Sequence, residues 1–157
     1  ILKSRCIKNL NFKEIIKKDR SIITFKQFTD NFPYLRKKLY LNLKGDIKTA
    51  YHLFIFIKIR NIDYSNIIAF SRNVDHINYL KLKLPDLKRG YITSNIPCDY
   101  MLKYIHENVS IVSLSYKNIN NEIIDKLHNI NKKVFVYTIK NHHIANYVRK
   151  FNIDGVI

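Results

Sequence analysis

The sequence predicts an α/β fold in which parallel strands alternate with helices, and two observations carry that expectation. Short β-branched and apolar runs recur along the chain, and each is followed by a longer segment with helical spacing and a cap or breaker at its end. Strands separated by helices of this length connect as βαβ crossovers, which makes the sheet parallel.

Residues 39–44 form the first clear strand, stopped by Gly45, and Asp46 opens a helix over 47–60. The centre of that segment, Phe54-Ile55-Phe56-Ile57, would also suit a strand. A second strand at 67–71 leads into a helix over 74–84 that Pro85 stops. The pattern continues with a strand at 88–93, a short helix over 100–106, a strand at 109–114 and an amphipathic helix over 121–131. It closes with a strand at 133–139, a helix over 145–151 and the start of a sixth strand at 154–157. Upstream, Thr24 caps a helix over 25–32 ended by Pro33, while residues 1–23 are poorly patterned and read as loop or partial helix.

A doubly wound open sheet and a barrel share this alternation. The glycine-rich phosphate loop that often marks open nucleotide-binding sheets is absent, since the glycines are Gly45, Gly90 and Gly155 alone. That tilts the expectation toward a barrel. A full eight-stranded barrel takes about 250 residues, so strand units of this number in 157 residues fall short of closure. One domain over 1–157 is expected, incomplete at its N-terminus, because the chain opens on Ile1 and closes on the apolar Ile157 as if cut through structure. Such an open barrel leaves strand edges unpaired and invites aggregation unless another segment completes it.

A formal charge of +16 invites a nucleic-acid or anionic-membrane reading. The lysines are scattered, however, and Lys, Asn, Ile and Tyr are all abundant while Trp is absent, as in a coding sequence biased toward A and T. No zinc-finger spacing or RNA-binding signature is present, so specific nucleic-acid binding is not expected, and contact with an anionic membrane surface stays open. The longest apolar stretch, 53–57, is far too short to span a bilayer, and no signal-peptide core is present. Cys6 and Cys98 are too few for a disulfide framework or a metal knuckle; as free thiols they lean toward a reducing compartment such as the cytoplasm.

The motif order carries a resemblance. Leu41-Asn42-Leu43-Lys44, Ala69-Phe70, the segment from Pro85 to Gly90-Tyr91-Ile92, Val134-Phe135-Val136-Tyr137-Thr138 and Asn152-Ile153-Asp154-Gly155-Val156-Ile157 follow one another along the chain. Together with Ile22-Ile23-Thr24-Phe25-Lys26-Gln27-Phe28 upstream, this order over residues 22–157 resembles that of the glycerophosphodiester phosphodiesterases. The resemblance implies a partial (β/α)8 TIM barrel comprising strand units 3 to 8, with outer helices. It also implies metal-assisted hydrolysis of a glycerophosphodiester to glycerol 3-phosphate and an alcohol, with a glycerophosphodiester or lysophospholipid as substrate. A divalent metal, Ca or Mg, is the implied cofactor.

The same resemblance assigns candidate site residues. Asn42 occupies the position of a metal-binding glutamate, where an amide oxygen can ligate a hard cation but adds no negative charge. Lys44 matches a lysine at the strand end, facing the mouth where it can stabilise phosphate charge. Tyr137 stands where the family has a cleft tryptophan able to cover a choline or glycerol group, and Phe70 reads as core with a share in the cleft wall. The family's H-R-G and H-D histidines and E-x-D metal pair have no counterpart in these 157 residues, so the chain by itself is expected to be inactive. His52, His76, His106 and His128 fall on predicted helices and are expected outside the mouth, as surface or interface residues, while His142 and His143 are expected on the surface at a helix start. Two alternatives stay open: a decayed, non-catalytic binding module, and a basic module that binds anionic lipid or RNA.

Overall fold

A computed structural model of the protein describes residues 10–31 and 37–157. The chain divides into two units, Ile1–Lys38 and Leu39–Ile157. In the first, helix α1 (Phe12–Lys18) is opened by a reciprocal cap. The Asn11 side chain accepts from the Glu14 amide at 3.0 Å, and the Glu14 carboxylate accepts from the Asn11 amide at 2.8 Å. Thr24 and Gln27 repeat the device at the start of helix α2 (Phe25–Asn31). The opening segment thus holds a short helix where the patterning gave loop or partial helix, and the Asn-x-x-Glu spacing is its signal. Phe32, Pro33 and Cys6 lie outside the described residues.

The second unit alternates strand and helix throughout: β1 (Leu39–Leu43), α3 (Ile47–Ile59), β2 (Ile67–Ser71), α4 (Val74–Lys83), β3 (Lys88–Thr93), α5 (Asp99–Asn108), β4 (Ile111–Ser115), α6 (Asn121–Asn129), β5 (Lys133–Tyr137), α7 (His142–Val148) and β6 (Gly155–Val156). The six strands form one parallel sheet in sequence order, curled into a half-barrel. The ambiguous apolar segment at 54–57 is helical, inside α3. Strand β4 starts two residues later than predicted, because Val109 closes α5 through its N–H to the Ile105 carbonyl. Helix α7 starts three residues early, because the Asn141 side chain accepts from the Ile144 amide.

The two faces of the sheet divide the core. Outward residues Val112, Leu114, Val134 and Val136 pack with Ile105 of α5, Ile123, Ile124 and Leu127 of α6 and Val148 of α7. Inward residues Ile68, Phe70, Ile92 and Ile111 form a second cluster, with Phe135 and Tyr137 against it. Strand β2 is buried along its whole length because both sets of its side chains are covered. Rings from β1, β2 and β5 meet inside the curl, with Tyr40–Phe70, Tyr40–Phe135 and Phe70–Phe135 centroids 5.8, 5.9 and 6.3 Å apart.

Gly90 makes room for that meeting. It pairs with Phe70 across β2 and β3, and a Cβ there would lie 2.3 Å from the nearest Phe70 ring carbon. Replacing Gly90 with Ala should cost about 1–3 kcal/mol of stability through overpacking. Gly155→Ala meets Phe135 only at 3.1 Å and should cost less. Equal urea midpoints for the two variants would contradict this packing.

Two anchors hold the opposite, N-terminal ends of the strands. The Arg89 guanidinium donates to the carbonyls of Leu84, Pro85, Leu87 and Asn108, tying the α4–β3 turn to the end of α5. The Asp154 carboxylate accepts from the Val134 amide at 2.8 Å and from the His128 ring at 3.0 Å. Burial alone would raise the Asp154 carboxyl, but the Val134 N–H and His128 hold it below the usual carboxylate range. A lowered folded-state pKa contributes stability that is complete above the unfolded value of about 3.9 and lost as pH falls through the folded one. Acid titration of the wild type should therefore show a loss of stability below about pH 4 that Asp154→Asn lacks.

Candidate functional site: the mouth of the half-barrel

The βα turns place polar groups around one end of the sheet. Asp46, Asn73, Asn120 and Asn141 cap the helices that follow β1, β2, β4 and β5, each accepting a backbone N–H from the first turn. This fixes where each strand end stops. Because Leu43 pairs with Ser71, the next residues, Lys44 and Arg72, leave adjacent strands side by side. A cavity of about 600 Å³ opens between these turns and the inner face of the sheet.

All four residues singled out from the sequence line that cavity: Asn42 and Lys44 from β1 and its end, Phe70 from β2 and Tyr137 from β5. Phe70 is 2% exposed and forms the floor as part of the inner cluster. Asn42 is exposed and pairs with Phe70 across the strands. The Tyr137 hydroxyl donates to the Thr93 carbonyl at 3.0 Å.

Three cavity residues were not anticipated. Arg72 donates to the Tyr137 hydroxyl at 2.8 Å and to Ser94 Oγ at 3.4 Å, which places its guanidinium at the hydroxyl edge of the Tyr137 ring, 5.7 Å from the centroid. It thereby bridges the ends of β2, β3 and β5. Burial pushes the Tyr91 hydroxyl above the usual phenol range, while the charge of Arg72 works against that rise. Ser113 lies fully buried in the lining, its hydroxyl without a hydrogen-bond partner among the described residues.

The third is His76, expected outside the mouth and found wholly buried beside it. Helix α4 starts at Val74, so its first turn carries the ring inward between two turns. His76 Nε2 meets the Asp46 carbonyl at 2.5 Å, and Nδ1 meets Ser71 Oγ at 2.9 Å. A carbonyl only accepts, so Nε2 carries a proton and donates to it, while Nδ1 shares a hydrogen bond with the serine. Ser71 Oγ in turn accepts from the Asn73 amide. The chain of bonds ties the turn after Lys44 to the turn that carries Arg72. Signals for it were present in the sequence, a serine at a strand end and a histidine in the first turn of the next helix. His128 is half-buried and bonded to Asp154, whereas His52, His106, His142 and His143 are exposed. Removing the His76 ring should strand buried partners and cost about 1–3 kcal/mol. It should also speed hydrogen exchange at the Asn73 amide; unchanged exchange would show that the histidine does not hold the turns.

The charge of the mouth is one-sided. Lys44 and Arg72 both line the cavity, and no Asp or Glu side chain does so among the described residues. A hard divalent cation takes several oxygen ligands, carboxylates foremost. No group of three His, Cys, Asp or Glu side chains gathers anywhere among the described residues, and Asn42 shares the cavity with two cations. The described residues do not fit a divalent metal; they fit an anion.

A parallel half-barrel with a cationic mouth at the C-terminal strand ends defines an α/β-barrel protein. Its fold is that of the glycerophosphodiester phosphodiesterases. A phosphodiesterase from Oleispira antarctica, solved with its product sn-glycerol-3-phosphate, superposes with a TM-score of 0.67 at 19% identity, over 76% of this chain and 50% of that one. A candidate glycerophosphoryl diester phosphodiesterase from Silicibacter pomeroyi gives 0.66 at 14% identity, over 76% and 46%. The glycerophosphodiester phosphodiesterase of Agrobacterium tumefaciens gives 0.62 at 12% identity, over 86% and 57%. The chain spans about half the length of these solved structures. No family model and no curated protein matches the sequence. No helix among the described residues is long and apolar enough to cross a membrane.

Proposed function

We propose that this chain forms the phosphate-binding side of a glycerophosphodiester phosphodiesterase-like barrel, binding glycerol phosphate groups at its mouth. One observation carries the reading: Lys44 and Arg72 leave adjacent strand ends into a cavity with no acidic side chain among its described lining. Fixed donors aimed at one place stabilise a phosphoryl group without reorganising. Lys44 supplies a mobile point charge, while Arg72 offers a planar fork already held by Tyr137 and Ser94. Asn42 can donate through its amide to a phosphate or glycerol oxygen. The solved neighbour from Oleispira antarctica, bound to sn-glycerol-3-phosphate, supports a small phosphate ester as the ligand.

Hydrolysis belongs to this reading only with further groups. Attack on a phosphodiester requires proton transfer to the leaving oxygen and a means of activating the nucleophile. The buried His76 ring is committed at both nitrogens, to Asp46 and Ser71. The chain as given therefore binds without turning over, and catalysis in a completed barrel would draw on residues outside it.

Calorimetric titration of the chain with glycerol 3-phosphate tests this reading. Binding should saturate, and Lys44→Ala should weaken it about tenfold, as for loss of one charge-assisted hydrogen bond. An absence of binding, or a Lys44→Ala variant that binds like the wild type, would sink it. Release of glycerol 3-phosphate from a glycerophosphodiester by the isolated chain would contradict the second part.

A further inference from the structure

The hydroxyl edge of Tyr137 already holds a cation. A quaternary ammonium such as choline is recognised by lying on an aromatic face in a site free of competing positive charge. Here the Arg72 guanidinium lies 5.7 Å from the Tyr137 ring centroid and is bonded to the Tyr137 hydroxyl. The ring is also packed against the inner cluster of Ile68, Phe70, Ile92 and Ile111. A choline group brought to this wall would meet a fixed guanidinium with no Asp or Glu side chain among the described lining to offset it.

The same arrangement suits a different head group. Arg72 reaches Tyr137 through Nη2 and Ser94 through Nη1, the latter at a long 3.4 Å. Guanidinium carries five N–H donors, so several remain for a ligand. Ser94 is itself held by Asn118, whose side-chain amide donates to the Ser94 carbonyl. The fork is thus oriented before a ligand arrives, which limits the ordering cost of binding. Its chemistry calls for oxygen acceptors, the hydroxyls of a polyol.

We infer that Arg72, held at the hydroxyl edge of Tyr137, selects glycerophosphodiesters with an uncharged, acceptor-rich polyol head group and rejects choline. This rests on the proposed glycerophosphate binding at Lys44 and adds the specificity of the neighbouring wall. The residues that do it come from β2, β3 and β5, whereas Lys44 follows β1.

The test titrates the chain with glycerophosphoglycerol and with glycerophosphocholine, alongside glycerol 3-phosphate. Glycerophosphoglycerol should bind about tenfold more tightly than glycerophosphocholine, as expected for one charge-assisted hydrogen bond against a repelled cation. Arg72→Gln keeps a donor near Tyr137 but removes the charge, so it should weaken both diesters through the shared phosphate and shrink the preference between them to about twofold or less. Tyr137→Phe, which releases the guanidinium, should weaken the preference while its far-ultraviolet spectrum and melting stay cooperative. Equal binding of the two diesters, or a preference for glycerophosphocholine, overturns the inference while leaving the Lys44 reading intact. A preference that survives Arg72→Gln in a folded variant overturns it too. Failure of all three ligands to bind overturns both.

Discussion

The Phe70 ring lying across Gly90 is the contact on which the rest of the site depends. It fills the inside of the sheet where β2 and β3 pair and lets Tyr40 and Phe135 close against the same ring. With the interior occupied by rings below, the space above them becomes the cavity, and the side chains at the strand ends line it. A parallel sheet with helices outside concentrates its variable turns at one end, and those turns start with helix caps that are short and rigid. Asp46 and Asn73 therefore do two things: they satisfy helix N–H groups, and they fix the turns from which Lys44 and Arg72 extend.

Electrostatics then gives the mouth its chemistry. Two cations on adjacent strand ends repel each other modestly in water and more strongly in a partly enclosed cavity, a cost an anion between them removes. The chain's formal charge of +16 gives the same sign at long range. Unlike the scattered surface lysines, Arg72 has a fixed geometry, its guanidinium held by Tyr137 and Ser94. The buried link from Ser71 through His76 to Asp46 keeps the two turns in step.

Much of the architecture was legible because β-branched runs and caps have short-range causes. Strands 67–71 and 88–93 match their predicted bounds, since each is bracketed by turn residues, the first buried on both faces and the second alternating. The start of α7 was misplaced because Asn141 was not read as a cap for the histidines that follow it. The resemblance pointed to Asn42, Lys44, Phe70 and Tyr137, and the fold brings all four to one cavity. Arg72 and His76 escaped because their partners are distant in sequence: Arg72 meets Tyr137 65 residues later, and His76 meets Asp46 30 residues earlier. Such contacts are set by sheet curl and helix phase, which periodicity does not encode. Ser113 was invisible for a related reason, as its burial depends on which face of β4 turns inward.

The most direct measurement is amide chemical-shift mapping of the chain during titration with glycerol 3-phosphate, with glycerol as control. The account predicts saturable shifts that cluster at Lys44, Gly45, Arg72, Asn73 and Thr138, the backbone around the mouth, and none of comparable size with glycerol. Shifts spread over surface lysines such as Lys17, Lys103 and Lys150, or an equal response to glycerol, would contradict it.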